Sequence, residues 1–149
     1  MSHFGASPSN DTRNTACDAC GPATAKALAA LRQASTLAPD KVDRRFWLGI
    51  IYAQVDSVPQ ARQEFNQVTK LDSLGAQKTT GVAHRQLGFY LLLDKNYPAA
   101  IRHLDRAVTI EPKDTQAWGW LGQGQQNSGN RAKACECYKR ALELDPAQA

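Results

Sequence analysis

The four cysteines and three histidines are the side chains of this 149-residue chain best suited to bind a metal or act as nucleophiles. Cys17-Asp18-Ala19-Cys20 forms a CxxC, but a structural zinc normally takes four ligands and this motif offers two. Cys135 and Cys137 stand two apart in a helical pattern, about 200° around the axis, so they point to opposite sides and cannot share an ion. A redox CxxC belongs with a βαβ pattern, of which the chain has none. The reading is of incidental thiols, with a local disulfide as the alternative and a metal third. His84 and His103 fall in different helices, His3 falls near the start, and no Ser or Cys completes a triad signature with them. Packed or surface imidazoles are therefore expected. Gly122-Gln123-Gly124 follows no strand and lies inside a helix, which excludes a phosphate loop. Asp43, Asp94, Asp105 and Glu111 are scattered over turns and helices without a pairing for acid–base work. No enzyme, no cofactor and no metal is expected from these residues.

The elements that must position any site are those of an ordinary globular protein. Apolar residues make up 42% and charged residues 21%, the usual usage of one soluble domain. No run approaches the roughly 18 apolar residues of a membrane span. The net charge of +4 is spread among both signs, which gives nucleic-acid binding little support. Met1 to Ser7 lacks a basic stretch followed by an apolar one, so no secretory signal is read. A cytoplasmic protein is the expectation, although an excised fragment would have lost such a segment.

Self-similarity organises the chain. Leu48-Gly49, Leu87-Gly88 and Leu121-Gly122 each sit in an apolar run, and twelve residues after each glycine comes Ala61, Ala100 or Ala134. Four further on stands Phe65, Leu104 or Tyr138, then Val68, Ala107 or Ala141, and two of the units close with Pro112 or Pro146. The spacing predicts antiparallel helix pairs in which the small residues let two backbones approach and the large one fills the gap beside them. Helices are expected near 42–55, 58–71, 97–110, 114–127 and 131–144, with turns at Asp94-Lys95-Asn96 and Ser128-Gly129-Asn130. Asp145-Pro146 and Glu111-Pro112 are stops.

Trp118, Leu121, Gly122, Gly129, Ala134, Tyr138, Ala141 and Pro146 together resemble the tetratricopeptide repeat, with a period of 34 residues. The middle unit keeps Leu87, Gly88, Tyr97, Ala100, Leu104, Ala107 and Pro112 but has His84 at the Trp position. The first keeps Leu48, Gly49, Tyr52, Ala61 and Phe65, with Ser73 for the closing Pro. The resemblance implies an all-α fold: a right-handed superhelix, or α-solenoid, of antiparallel helix pairs, with three units and a preceding N-terminal helix. Stacking such units buries a continuous core.

Two irregularities stand out. Gly49 to Gly88 is 39 residues rather than 34, so an insertion lies between Ser73 and Thr80, expected as a longer helix end or loop. Ala27, Leu28, Leu31, Ala34, Leu37 and Pro39 match a second helix whose first helix would come from the polar stretch Asn10 to Cys20. The organisation read is a loose tail over 1–9 and one domain over 10–149. That domain comprises a partial unit (10–41), a first repeat (42–75), an insertion (76–80), a second repeat (81–114) and a third (115–148).

In the family, first helices line a concave groove that is the usual partner site. The matching positions here are Asp43, Phe46 and Ile50; then Arg85, Gln86, Phe89, Leu92 and Leu93; then Gln116, Trp120, Gln123 and Asn127. Phe46, Ile50, Phe89, Leu92 and Trp120 would form an apolar floor edged by amides that both donate and accept. The alternative is that these apolar residues pack between units. The Lys, Asn and Arg of the chaperone-carboxylate clamps are missing, leaving Arg85 to anchor at most one acidic group. A protein or peptide is the expected partner, with neither nucleic acid nor membrane. The family usually adds a capping helix after the last repeat. Alternative readings are therefore a homodimer formed through the C-terminal face, around Arg131, Cys135 and Tyr138, and an adaptor fragment of a larger protein.

Overall fold

The structure is a computed structural model describing residues 22–37 and 41–145. Cys17, Cys20, His3, the 1–9 tail and the expected helix within 10–20 lie outside the described residues. Those residues form seven helices and no strand: α1 (Pro22–Leu37), α2 (Val42–Gln54), α3 (Val58–Leu71), α4 (Lys78–Leu93), α5 (Tyr97–Ile110), α6 (Thr115–Asn127) and α7 (Arg131–Leu144). The chain divides into two compact units, 1–64 and 65–149, the division falling inside α3.

Local chemistry sets the helix limits. Asp114 caps α6, its Oδ1 accepting from the Ala117 amide at 3.1 Å, and Pro98 occupies the first turn of α5, where no intrahelical partner is lost. Glu111 ends α5 in an extended conformation (φ −131°, ψ 90°) because Pro112 follows it. The turns between paired helices share one device. Asp56, Lys95 and Gly129 each stand seven residues after the unit's glycine and take φ of 60°, 61° and 88°.

In the first unit, α1 lies along α2. The Arg32 guanidinium sits 5.8 Å from the centre of the Tyr52 ring, and Arg44 Nη1 donates to the Ala34 carbonyl at 3.5 Å. Arg45 Nη1 meets Glu64 Oε1 at 2.9 Å, both side chains mostly covered. Phe46, Leu48, Tyr52 and Ala61 are buried.

In the second unit, α4 packs on α5, α5 on α6 and α6 on α7. The core holds Leu92, Ala100, Leu104, Ala107, Val108, Ala117, Leu121 and Cys137. The glycines mark where helices close in. A Cβ on Gly88 would lie 2.5 Å from Leu104 Cγ, and one on Gly122 would lie 2.7 Å from Tyr138 Cε1. Gly124 is a second such point, a Cβ there lying 3.2 Å from Ile101 Cγ1 and 3.4 Å from Leu92 Cδ2. Cys137 is buried and Cys135 exposed, on opposite sides of α7.

The insertion is both a turn and an extra helical turn. Helix α4 starts at Lys78, and the preceding segment is organised by one carboxylate. Asp72 Oδ1 accepts from the Ala76 amide at 3.0 Å, and its Oδ2 accepts from the Gln77 amide at 3.0 Å and the Thr80 hydroxyl at 2.6 Å. The Thr80 hydrogen bond, aided by those amides, holds the Asp72 carboxyl below its usual range. Arg106 Nη2 ties the segment to α5 by donating to the Ser73 carbonyl at 3.0 Å.

Candidate functional site

Helix periodicity divides α4 into two faces. Gly88 and Leu92, four apart, turn toward the core, while Arg85, Phe89 and Leu93 form a ridge on another side. Phe89 is half-buried and stacks on Trp120 of α6, ring centres 4.5 Å apart and planes inclined 27°. The Phe89 ring also stands 6.0 Å from that of Tyr90. Leu93 is 65% exposed at the end of the ridge. Gln86 is half-buried, and Gln116, Gln123 and Asn127 are exposed along α6. These positions bring an aromatic stack, an open leucine and several amides together on α4 and α6.

Leu92 does not join them. It is 7% exposed and belongs to the core cluster, because it follows Gly88 by one helical turn. Arg85 is engaged as well. Its Nη1 donates to Asp114 Oδ2 at 2.9 Å, with side-chain exposures of 20% and 8%. Asp114 thus caps α6 with one oxygen and holds Arg85 with the other. Arg85 Nε is buried without a hydrogen-bond partner. The pair removes the one net charge expected on this surface.

In the first unit, Phe46 leaves the expected groove floor as Leu92 does: it is 6% exposed and meets Trp47 edge-on at 5.4 Å, with Trp47 53% exposed. Asp43 is exposed and Ile50 half-buried on α2.

The imidazoles that the sequence placed in separate helices meet. His84 Nδ1 and His103 Nδ1 are 3.0 Å apart, one donating and the other accepting. Burial pushes His84 down to about 4, with His103 and Arg106 repelling its charged form and Asp72 opposing them. Burial also lowers His103, helped by Arg102. The signal available in the sequence was register: His84 and His103 are 19 apart, as are Trp118 and Cys137 one unit later. Among the described residues, no three His, Cys, Asp or Glu side chains converge as a metal site would require. Nor is any described helix long and apolar enough to cross a membrane.

Comparison with known proteins bears on this arrangement. Two tetratricopeptide repeat family models match residues 24–76 and 115–148, together more than half of the chain. Superkiller protein 3 of Schizosaccharomyces pombe is 38% identical over 78 residues, covering 52% of this chain and 6% of that protein. The tetratricopeptide repeat-containing protein trd-1 of Caenorhabditis elegans is 34% identical over 64 residues, covering 43% and 8%. The chain thus spans under a tenth of the length of these two relatives. Among solved structures, MamA from Desulfovibrio magneticus RS-1 superimposes with a TM-score of 0.70 at 23% identity, over 92% of this chain and 73% of that one. That likeness establishes an all-α repeat fold.

Proposed function

The chain belongs to the tetratricopeptide repeat family, a protein-interaction fold, and on that premise we propose that it holds a peptide or protein segment against α4 and α6, the first helices of its last two pairs. The Phe89–Trp120 stack carries the reading. Two large rings share a surface between α4 and α6 with an exposed leucine beside them, and rigid aromatic anchors of this kind dominate binding energy. The flanking amides Gln86, Gln116, Gln123 and Asn127 suit a peptide backbone, which offers donors and acceptors in alternation. Because Asp114 neutralises Arg85, the partner segment is apolar rather than acidic. The reading gives the chain no catalytic role of its own.

Selection of a displayed random peptide library with the full chain tests this. Selected peptides are expected to bind at least about tenfold more weakly to the Phe89→Ala and Trp120→Ala variants, with helical circular dichroism unchanged. Peptides indifferent to both substitutions, or a selection that yields none, would overturn the groove.

A second reading is self-assembly. Gln126, Arg131, Ala134, Cys135 and Tyr138 border an opening of about 250 Å³. Thirty-four residues earlier, the matching Leu92, Tyr97, Ala100, Ile101 and Leu104 belong to, or pack against, the core that includes α6 residues Ala117 and Leu121. The later face is thus shaped for a helix. Sedimentation over a concentration series decides it: a strictly monomeric protein at high concentration removes this reading.

A further inference from the structure

A cavity of about 430 Å³ opens among α5, α6 and α7. Buried or half-buried Trp118, Leu121 and Cys137 form its floor, and exposed Asp105, Lys133 and Arg140 form its rim. It lies on the other side of α6 from Trp120, since residues two apart on a helix diverge by about 200°. The groove reading above therefore neither requires nor explains it.

The repeat supplies a counterpart. Trp118, Leu121, Cys137 and Arg140 stand 34 residues after His84, Leu87, His103 and Arg106. At that earlier position the corresponding residues are engaged within the chain. The two imidazoles meet at 3.0 Å, and the turn organised by Asp72 is fixed nearby. Arg106 Nη2 holds the Ser73 carbonyl at 3.0 Å. Gly75 lies so close that a Cβ would fall 2.6 Å from Ile110 Cδ1. One unit later no such turn is supplied by the four-residue connection Glu111 to Asp114, whose Pro112 carbonyl accepts from Trp118 Nε1 at 2.8 Å. Arg140, the counterpart of Arg106, meets Glu143 at 3.4 Å and remains 55% exposed.

We propose that this cavity is a second protein-binding site, which takes a turn of a partner polypeptide as the preceding unit takes Ser73–Gly75. Arg140 donates to a backbone carbonyl of the partner. A glycine of the partner lies against Leu144, the counterpart of Ile110, and a small apolar side chain enters the space left where Cys137 stands in place of His103. The rim selects a neutral segment, because its exposed charges balance: Asp105 and Glu136 stand against Lys133 and Arg140.

The probe is an acetylated, amidated peptide copying residues 71–78, Leu-Asp-Ser-Leu-Gly-Ala-Gln-Lys, titrated into the isotope-labelled full chain. Chemical-shift changes are expected around Trp118, Cys137 and Arg140. Arg140→Ala, at an exposed position that leaves the fold intact, should weaken binding about tenfold, the typical worth of a hydrogen bond to a charged group. Trp120→Ala should leave it within about twofold. A peptide with valine for its glycine tests the same contact without altering the protein and should fail to bind. Absence of shifts at millimolar peptide, shifts confined to Phe89 and Trp120, or equal binding by Arg140→Ala would each overturn the site.

Discussion

His84 and His103 face each other across the α4–α5 pair with their Nδ1 atoms 3.0 Å apart, an arrangement that one shared proton satisfies and two would disrupt. The folded pair stays neutral where free imidazoles begin to charge. Burial holds His84 at about 4, against 6.5 for the unfolded chain. Between those values the unfolded state binds more protons, so stability falls as pH drops from about 6.5 toward 4. At about 1.4 kcal/mol for each pH unit between those two values, the full effect is roughly 3 kcal/mol at the acid end. Urea midpoints measured over this range should decline for the parent chain and decline less for His84→Gln. Equal slopes would show that the pair does not govern the acid response.

The glycine positions separate two kinds of tight contact. A Cβ at Gly88 meets Leu104, which is fully buried, whereas one at Gly122 meets the ring of half-exposed Tyr138. Overpacking costs about 1 to 3 kcal/mol where neighbours cannot move. Gly88→Ala should therefore approach the upper end of that range and Gly122→Ala the lower, as read from chemical denaturation. The reverse order would mean that the Leu104 pocket relaxes more readily than its burial implies.

These contacts also explain what the sequence made legible. Small and large residues repeating at fixed spacing report directly on where helices touch, so the paired helices and the Gly88–Leu104 and Gly122–Tyr138 contacts could be read from residue types alone. The form of the insertion could not, because it depends on Asp72 gathering Ala76, Gln77 and Thr80, a side-chain interaction with no period. Arg85 reads from the sequence as an anchor for one acidic group, because its partner Asp114 is 29 residues away, a spacing that neither the helix nor the repeat period links. Leu92 is expected in the groove although it shares a face with Gly88; a single residue, about 100° of rotation, separates buried Leu92 from exposed Leu93.

The turn positions offer a stabilising change. Lys95 adopts φ of 61° where the next unit has Gly129 at 88°. A side chain in the left-handed region costs about 1 kcal/mol or more, offset in part by the extra unfolded-state freedom of glycine. Lys95→Gly should raise stability by about 0.5 to 1 kcal/mol, and Gly129→Ala should lower it by about 1 kcal/mol. Thermal unfolding of both variants checks the pair of signs.

Asp114 joins two helices through one carboxylate, and its two functions can be separated. Asn keeps an oxygen that can accept from the Ala117 amide but loses the charge that holds Arg85; Ala loses both. Leaving Arg85 charged and largely covered is the costlier effect, since an ion pair broken on one side strands its partner. The cap adds about 1 kcal/mol. Asp114→Ala should therefore destabilise by about 3 kcal/mol, and Asp114→Asn by about 1 kcal/mol less. Combining either with Arg85→Met should recover part of the loss, because the stranded charge is removed and an apolar chain fills its path. Urea denaturation of these four variants and of Arg85→Met alone measures the coupling directly. Additive losses in the double variants would show that Asp114 acts only as a cap.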